Sequence, residues 1–162
     1  MATIGERIRP IDKTTNQIQD LIIVRHSEVI EKGNVNTICD NLFNLYRKHH
    51  NVWLICDGSN RSAVNLLKIK FGESLDWDSN EVNPDNMKVV PVNFGTQHKD
   101  LLSHMQSIVS NGYLAIPEDN NEQLLTALRT AYAKELSLDK TQSVYNDLTD
   151  ALRLSLRAYN II

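Results

Sequence analysis

Cysteine is scarce in this chain: Cys39 and Cys56 are the only two. Both fall in apolar-periodic segments. The expectation is two reduced, buried thiols in an intracellular protein, not a disulfide-stapled secreted scaffold. Long apolar runs are missing too, and nothing approaches the ~18 residues a membrane span requires. The opening residues, MATIGERIRP, lack the apolar core of a secretion signal. A soluble, cytoplasmic protein without a membrane partner is therefore expected. Excess positive charge is absent, since the formal net charge is −3. Any nucleic-acid contact has to come from local patches instead of a generally basic surface. There is no internal repeat and no low-complexity segment.

What is present is globular in character. A chain of 162 residues, 41% apolar and 23% charged, suits one domain with a single substantial core. The most informative stretch is Val52 to Lys68, VWLICDGSNRSAVNLLK. Five apolar residues, Val52 to Cys56, have the pattern of a strand buried on both faces of a parallel sheet. The run stops at Asp57, Gly58, Ser59 and Asn60. Ser59 or Asn60 caps a following helix whose apolar positions are Val64, Leu66, Leu67 and Ile69. A carboxylate at the carboxyl end of a central strand lies where α/β sheets place their ligands.

Upstream, residues 1–20 read as a polar leader or a degenerate strand around Glu6 to Ile11. Asp20 to Glu31 reads as one long strand or two short ones, broken at Gly33 and Asn34. Asn34 or Asn36 opens a helix carrying Val35, Ile38, Cys39, Leu42, Phe43, Leu45 and Tyr46 at helical spacing. Arg47, Lys48, His49 and His50 close it, where positive charge complements the helix dipole. The two histidines are adjacent, so they do not share a face as metal ligands would.

Downstream, Glu73 to Asn86 is an acidic, polar loop containing Asp76, Trp77 and Asp78. Met87 to Phe94 is a strand in which Pro91, lacking an amide donor, marks an edge or an end. Gly95 and Thr96 lead into a helix from His98 to Ser110 with Leu101, Leu102, Met105, Ile108 and Val109 on its core face. Asn111 and Gly112 stop that helix. Tyr113 to Ile116 is a short strand ended by Pro117. Asn121 caps a helix burying Leu124, Leu125, Leu128, Ala131 and Tyr132. Ser137 to Gln142 is a charged connector. The last helix runs from Ser143 to Tyr159 on a stripe of Leu148, Leu152, Leu156 and Tyr159. Alternating strands and helices predict an α/β fold, with a sheet at least partly parallel and helices on its faces.

Asp147 and Asp150 lie three residues apart near the start of that helix and so share a face. Ala151, one turn on, would let the helix approach the sheet closely. Convergence of this face with Asp57 would place carboxylates that repel each other unless a cation lies between them. Oxygen donors of this kind suit Mg²⁺ or Mn²⁺, which activate water and stabilise a leaving oxygen in phosphodiester cleavage. The bland alternative is that first-turn acids merely complement the dipole and that Asp57 merely caps.

Three segments, in this order, resemble the C-terminal nuclease domain of phage-type terminase large subunits. They are VWLICDGSNRSAVNLLK, VVPVNFGTQHKDLLSHMQSIVSNGYLAIP and VYNDLTDALRLSLRAY. The resemblance covers roughly Glu28 to Tyr159 and implies an RNase H-like, RuvC-like mixed sheet flanked by helices, with the domain spanning 21–162. It implies a Mg²⁺- or Mn²⁺-dependent endonuclease that cuts double-stranded DNA during viral genome packaging, in a host or virus-infected cell. Asp57 matches the family's second acidic ligand, Asp147 the retained acid of the last motif, and Asp150 its later acid.

The chain also departs from the family. Asn146 replaces the first acid of the last motif. No strand carries the D-x-x-x-G type motif that supplies the first metal acid, and neither Asp12 nor Asp20 follows an apolar strand. The fold is therefore expected to be N-terminally incomplete. A G-x-x-x-x-G-K-(S/T) loop is absent. Two explanations remain open: a shortened or split product completed by another polypeptide, such as a terminase ATPase subunit or portal, or a catalytically inactive DNA- or protein-binding module. An unrelated α/β binding domain whose acids all cap is a third reading. Candidate phosphate contacts are Arg61, Lys68, Lys70, Lys99, Arg129, Arg153 and Arg157, with Arg61 and Lys99 preferred for DNA and His98 and His104 near its edge.

Overall fold

The computed structural model describes residues 2–8, 21–30, 34–46, 53–72, 88–131, 133–134, 137–138 and 146–159. In chain order the elements are β1 (Ala2–Ile8), β2 (Leu21–Glu28), α1 (Val35–Tyr46), β3 (Trp53–Asp57), α2 (Arg61–Gly72) and β4 (Lys88–Val92). They continue as α3 (Phe94–Ser110), β5 (Leu114–Ala115), α4 (Glu122–Thr130), β6 (Ala133–Lys134), β7 (Ser137–Leu138) and α5 (Asn146–Leu156). The fold is mixed α/β. It divides into two compact units, one of Met1–Val29 with Gln97–Ile162 and one of Ile30–Thr96. Each has its own apolar cluster, where composition alone predicts one core.

In the first unit the sheet order is β1-β2-β5. β1 pairs antiparallel with β2, and β2 pairs parallel with β5. The leader thus contains a strand, earlier than the Glu6 to Ile11 expected. A polar segment without clean alternation is held by ladder bonds that local sequence does not reveal. The register shifts between Ile4 and Gly5, which pair with His26 and Val24. Arg25 is therefore the extra residue of a bulge. Ile22 and Val24 are buried. They join Leu102, Met105 and Ile108 of α3, Leu124 and Ala127 of α4, and Leu148, Leu152 and Leu156 of α5.

α3 begins at Phe94, four residues ahead of the expected start, because the Asn93 side chain accepts from the Thr96 amide at 3.2 Å. It stops as expected. Gly112 has φ +71°, Tyr113 N–H donates to the Ile108 carbonyl, and Gly112 N–H donates to that of Val109, both at 3.0 Å. Val109, predicted on the core face, is exposed. At the head of α4, Asn121 makes no capping bond with its side chain. Its Nδ2 instead donates to the Val24, Pro117 and Asp119 carbonyls at 3.1, 3.0 and 3.3 Å, joining β2 to the loop after β5. α4 ends at Thr130, short of the expected Tyr132, and the antiparallel pair β6–β7 overlaps the expected connector.

In the second unit β3 and β4 pair in parallel, Trp53 with Lys88 through Asp57 with Val92. Gly58 N–H donates to the Val92 carbonyl at 2.8 Å. Backbone groups alternate sides along a strand, so Val90 and Val92 turn theirs toward β3 and Pro91 turns away. The missing donor of Pro91 therefore lies on the outer side of β4, which is the edge reading of that proline. Asn34 caps α1, accepting from the Thr37 amide at 3.0 Å, and Asn60 caps α2, accepting from the Ala63 amide at 3.0 Å. Cys39 and Leu67 are buried, with Leu42, Leu54, Cys56, Leu66 and Val89 packed on them. Ile69, expected inward, is exposed. His49, His50, the loop 73–86 and Tyr132 lie outside the described residues.

Candidate functional site

Asp57 ends β3 and is exposed. Its carboxylate is fixed by its own turn: the Ser59 amide donates to Oδ1 at 3.0 Å and the Ser59 hydroxyl donates to Oδ2 at 2.9 Å. Such an Asx arrangement leaves lone pairs on both oxygens, since each can accept more than one bond. Gly58 is favoured by close approach. A Cβ there would meet the Val92 carbonyl oxygen at 3.2 Å and the Pro91 Cβ at 3.3 Å. The turn thus brings the carboxyl ends of β3 and β4 together. Next to Asp57, burial chiefly, and then the Asp57 charge, push the Cys56 thiol up from its ordinary 9.0, against a smaller opposing effect of Lys68.

Arg61 is the first residue of α2 and is exposed. A cation at a helix N-terminus runs against the helix dipole, so α2 itself does not account for it. Lys68, Lys99, Arg129 and Arg157 are exposed as well. The side chain of Lys70 lies outside the described residues.

The first unit holds Asp147 and Asp150, on one face of α5 as their spacing predicts. Their surroundings differ. Asp147 is exposed in the first helical turn, whereas the Asp150 side chain is only 15% exposed and pairs with Arg153. Arg153, expected among the phosphate contacts, is fully buried and cannot serve as one. Its Nη1 contacts His98 Nδ1 at 3.3 Å and donates to the His98 carbonyl at 3.4 Å. A guanidinium can only donate, so His98 Nδ1 accepts and the ring proton is assigned to Nε2. His104 is also structural. Its Nε2 lies 3.2 and 2.9 Å from the Leu156 and Tyr159 carbonyls, which can only accept, so it donates to the C-terminal end of α5. Both histidines are thus engaged with α5 and its flank.

Carboxylate oxygens are donors of the right kind for Mg²⁺ or Mn²⁺. They are too few in what the structure describes. Among the described residues no three His, Cys, Asp or Glu side chains gather closely enough to hold a metal ion. Sequence reasoning missed Ser59 as the group that orients Asp57, although a serine two residues after an aspartate is the signal for such a turn. It also missed the burial of Arg153, for which the i, i+3 spacing from Asp150 was the available sign. No family model, no curated protein and no solved structure matches the chain.

Proposed function

We propose that this chain is a terminase-like, RNase H-like nuclease domain that acts on double-stranded DNA with Mg²⁺ or Mn²⁺ in viral genome packaging. The observation that carries the reading is the end of β3. A turn-oriented carboxylate, Asp57, stands at the carboxyl end of a parallel strand, four residues before an exposed arginine on the first turn of α2. Asp57 is the proposed ligand at the end of β3, and Asp147, with Asp150 as a further acid or a partner behind it, is the proposed ligand on α5. A divalent ion, if held there, would supply an activated water and charge stabilisation of the leaving oxygen. This chain's own residues hold and orient: Ser59 fixes the Asp57 carboxylate, and Arg61 and Lys99 meet backbone phosphates. A terminase ATPase subunit or portal is the proposed partner.

The test is plasmid cleavage by the purified chain in Mn²⁺ beside its Asp57→Ala variant. Metal-dependent cutting that the substitution abolishes supports the reading, and equal cutting by both removes it. A second reading, a non-catalytic module that binds DNA or a packaging subunit, is favoured by the absence of a three-donor group among the described residues. It predicts no cleavage but DNA binding that weakens steeply with salt.

A further inference from the structure

We propose that Asn111 is a site of spontaneous modification, converted to aspartate and isoaspartate through a cyclic imide, and that the last turn of α3 gates the conversion. Asn111 is the only asparagine that a glycine follows directly. Asparagine is among the thermolabile side chains, most of all where the next residue has no side chain to hinder its nitrogen. Both residues are exposed, and a Cβ built on Gly112 meets nothing within 4 Å, so water and base reach the peptide bond between them. The Gly112 nitrogen gives up its proton to solvent base and attacks Asn111 Cγ. An N–Cγ bond forms, the Cγ–Nδ2 bond breaks, and Nδ2 leaves as ammonia. Water then opens the ring at either carbonyl. One opening gives aspartate, and the other gives isoaspartate, whose main chain is longer by a carbon.

The fold restrains each reacting group. Gly112 N–H donates to the Val109 carbonyl at 3.0 Å, which holds the proton that attack must release. Asn111 Nδ2 donates to the Ser107 carbonyl at 2.7 Å, which ties the leaving group to the preceding turn of α3. Tyr113 extends the clasp. Its N–H donates to the Ile108 carbonyl at 3.0 Å, and its carbonyl accepts from the Ile22 amide of β2 at 2.7 Å. Ring closure therefore waits for this turn to open, and its rate is that of the open chain multiplied by the open fraction. Conversion then works against reclosure. A carboxylate has no N–H for the Ser107 carbonyl, and its negative charge at a helix C-terminus opposes the dipole. Isoaspartate also lengthens the link between the stop of α3 and β5, which the β2–β5 pairing fixes at both ends.

The test incubates the full chain in mildly alkaline heavy-oxygen water and maps its peptides by mass, so that each conversion is marked by the solvent oxygen it takes up. In guanidinium chloride Asn111 is expected to convert ahead of every other asparagine. In the folded chain its rate is expected to fall by about tenfold or more. Conversion led by another asparagine in denaturant overturns the proposal, and so do equal rates at Asn111 with and without denaturant. Asn111→Gln keeps a carboxamide but disfavours the ring, and is expected to stop conversion at this position. Asn111→Asp reproduces one product and is expected to lower the folding constant about fivefold, read by urea unfolding. An Asn111→Asp chain as stable as the unsubstituted one would overturn the link between conversion and the α3–β5 junction.

Discussion

The two units bury their strands to different depths. In the first, Ile22 and Val24 of β2 are sealed, and α3, α4 and α5 each add fully buried side chains. In the second, β3 has no fully buried residue, and Trp53 at its start is 57% exposed. Among the described residues, Cys39 and Leu67 are the buried members of that unit's cluster, and Val64 and Val92 are buried outside it. Stability scales with apolar area removed from water and with the contacts around it. The first unit therefore carries most of the fold's cohesion. The second presents the turn that orients Asp57 on a lighter scaffold. The comparison separates holding from presenting: among the described residues the buried cation, Arg153, belongs to the unit with the larger core.

The largest expected effect sharpens this contrast directly. Leu152→Ala in α5 should cost about 3–5 kcal/mol, near the upper end for a core leucine, and Leu67→Ala in α2 about 2–3 kcal/mol, where half-buried neighbours can relax into the space. Urea unfolding of the two variants reads both values. A larger loss at Leu67 would reverse the ranking of the units.

A smaller effect is expected at the cap of α2. Asn60→Ala removes the acceptor of the Ala63 amide and should cost about 1 kcal/mol. Amide exchange should quicken in α2 and leave α5 unchanged. Equal quickening in both would show that the units open together.

The smallest effect is alkaline. Burial raises the Cys56 thiol above 9.0, so the folded chain holds that proton when the unfolded chain has lost it. Stability from this group is whole below 9.0 and falls as pH rises from there through the higher folded value. Cys56→Ala should flatten this part of the stability–pH curve. An unchanged slope would place the loss elsewhere.

Much of the local structure was legible. The apolar run before Asp57, the asparagine ahead of α2 and the Asn111–Gly112 stop are written in neighbouring residues, because strands, caps and stops satisfy their backbone groups locally. The early start of α3 was less visible. Asn93 follows a strand directly, and the apolar periodicity begins only at Leu101. Val109 and Ile69 fit the helical period yet are exposed, since periodicity marks a stripe and the neighbours decide how wide it is. The place of Asp57 at the end of β3 and the shared helix face of Asp147 and Asp150 followed from position and spacing. The difference between the two acids of that face did not, because it depends on which one meets a buried cation.

The residue order alone determined where many chain segments start, stop and turn, and that Leu148, Leu152 and Leu156 of α5 point inward. Only the tertiary structure decided that a polar leader pairs with β2, that Asn121 serves β2 instead of capping α4, and that Arg153 lies in the core. The reason is distance along the chain. Arg153 meets His98 across a separation of 55 residues. Whether a charge can be buried depends on such remote partners as well as on a neighbour such as Asp150.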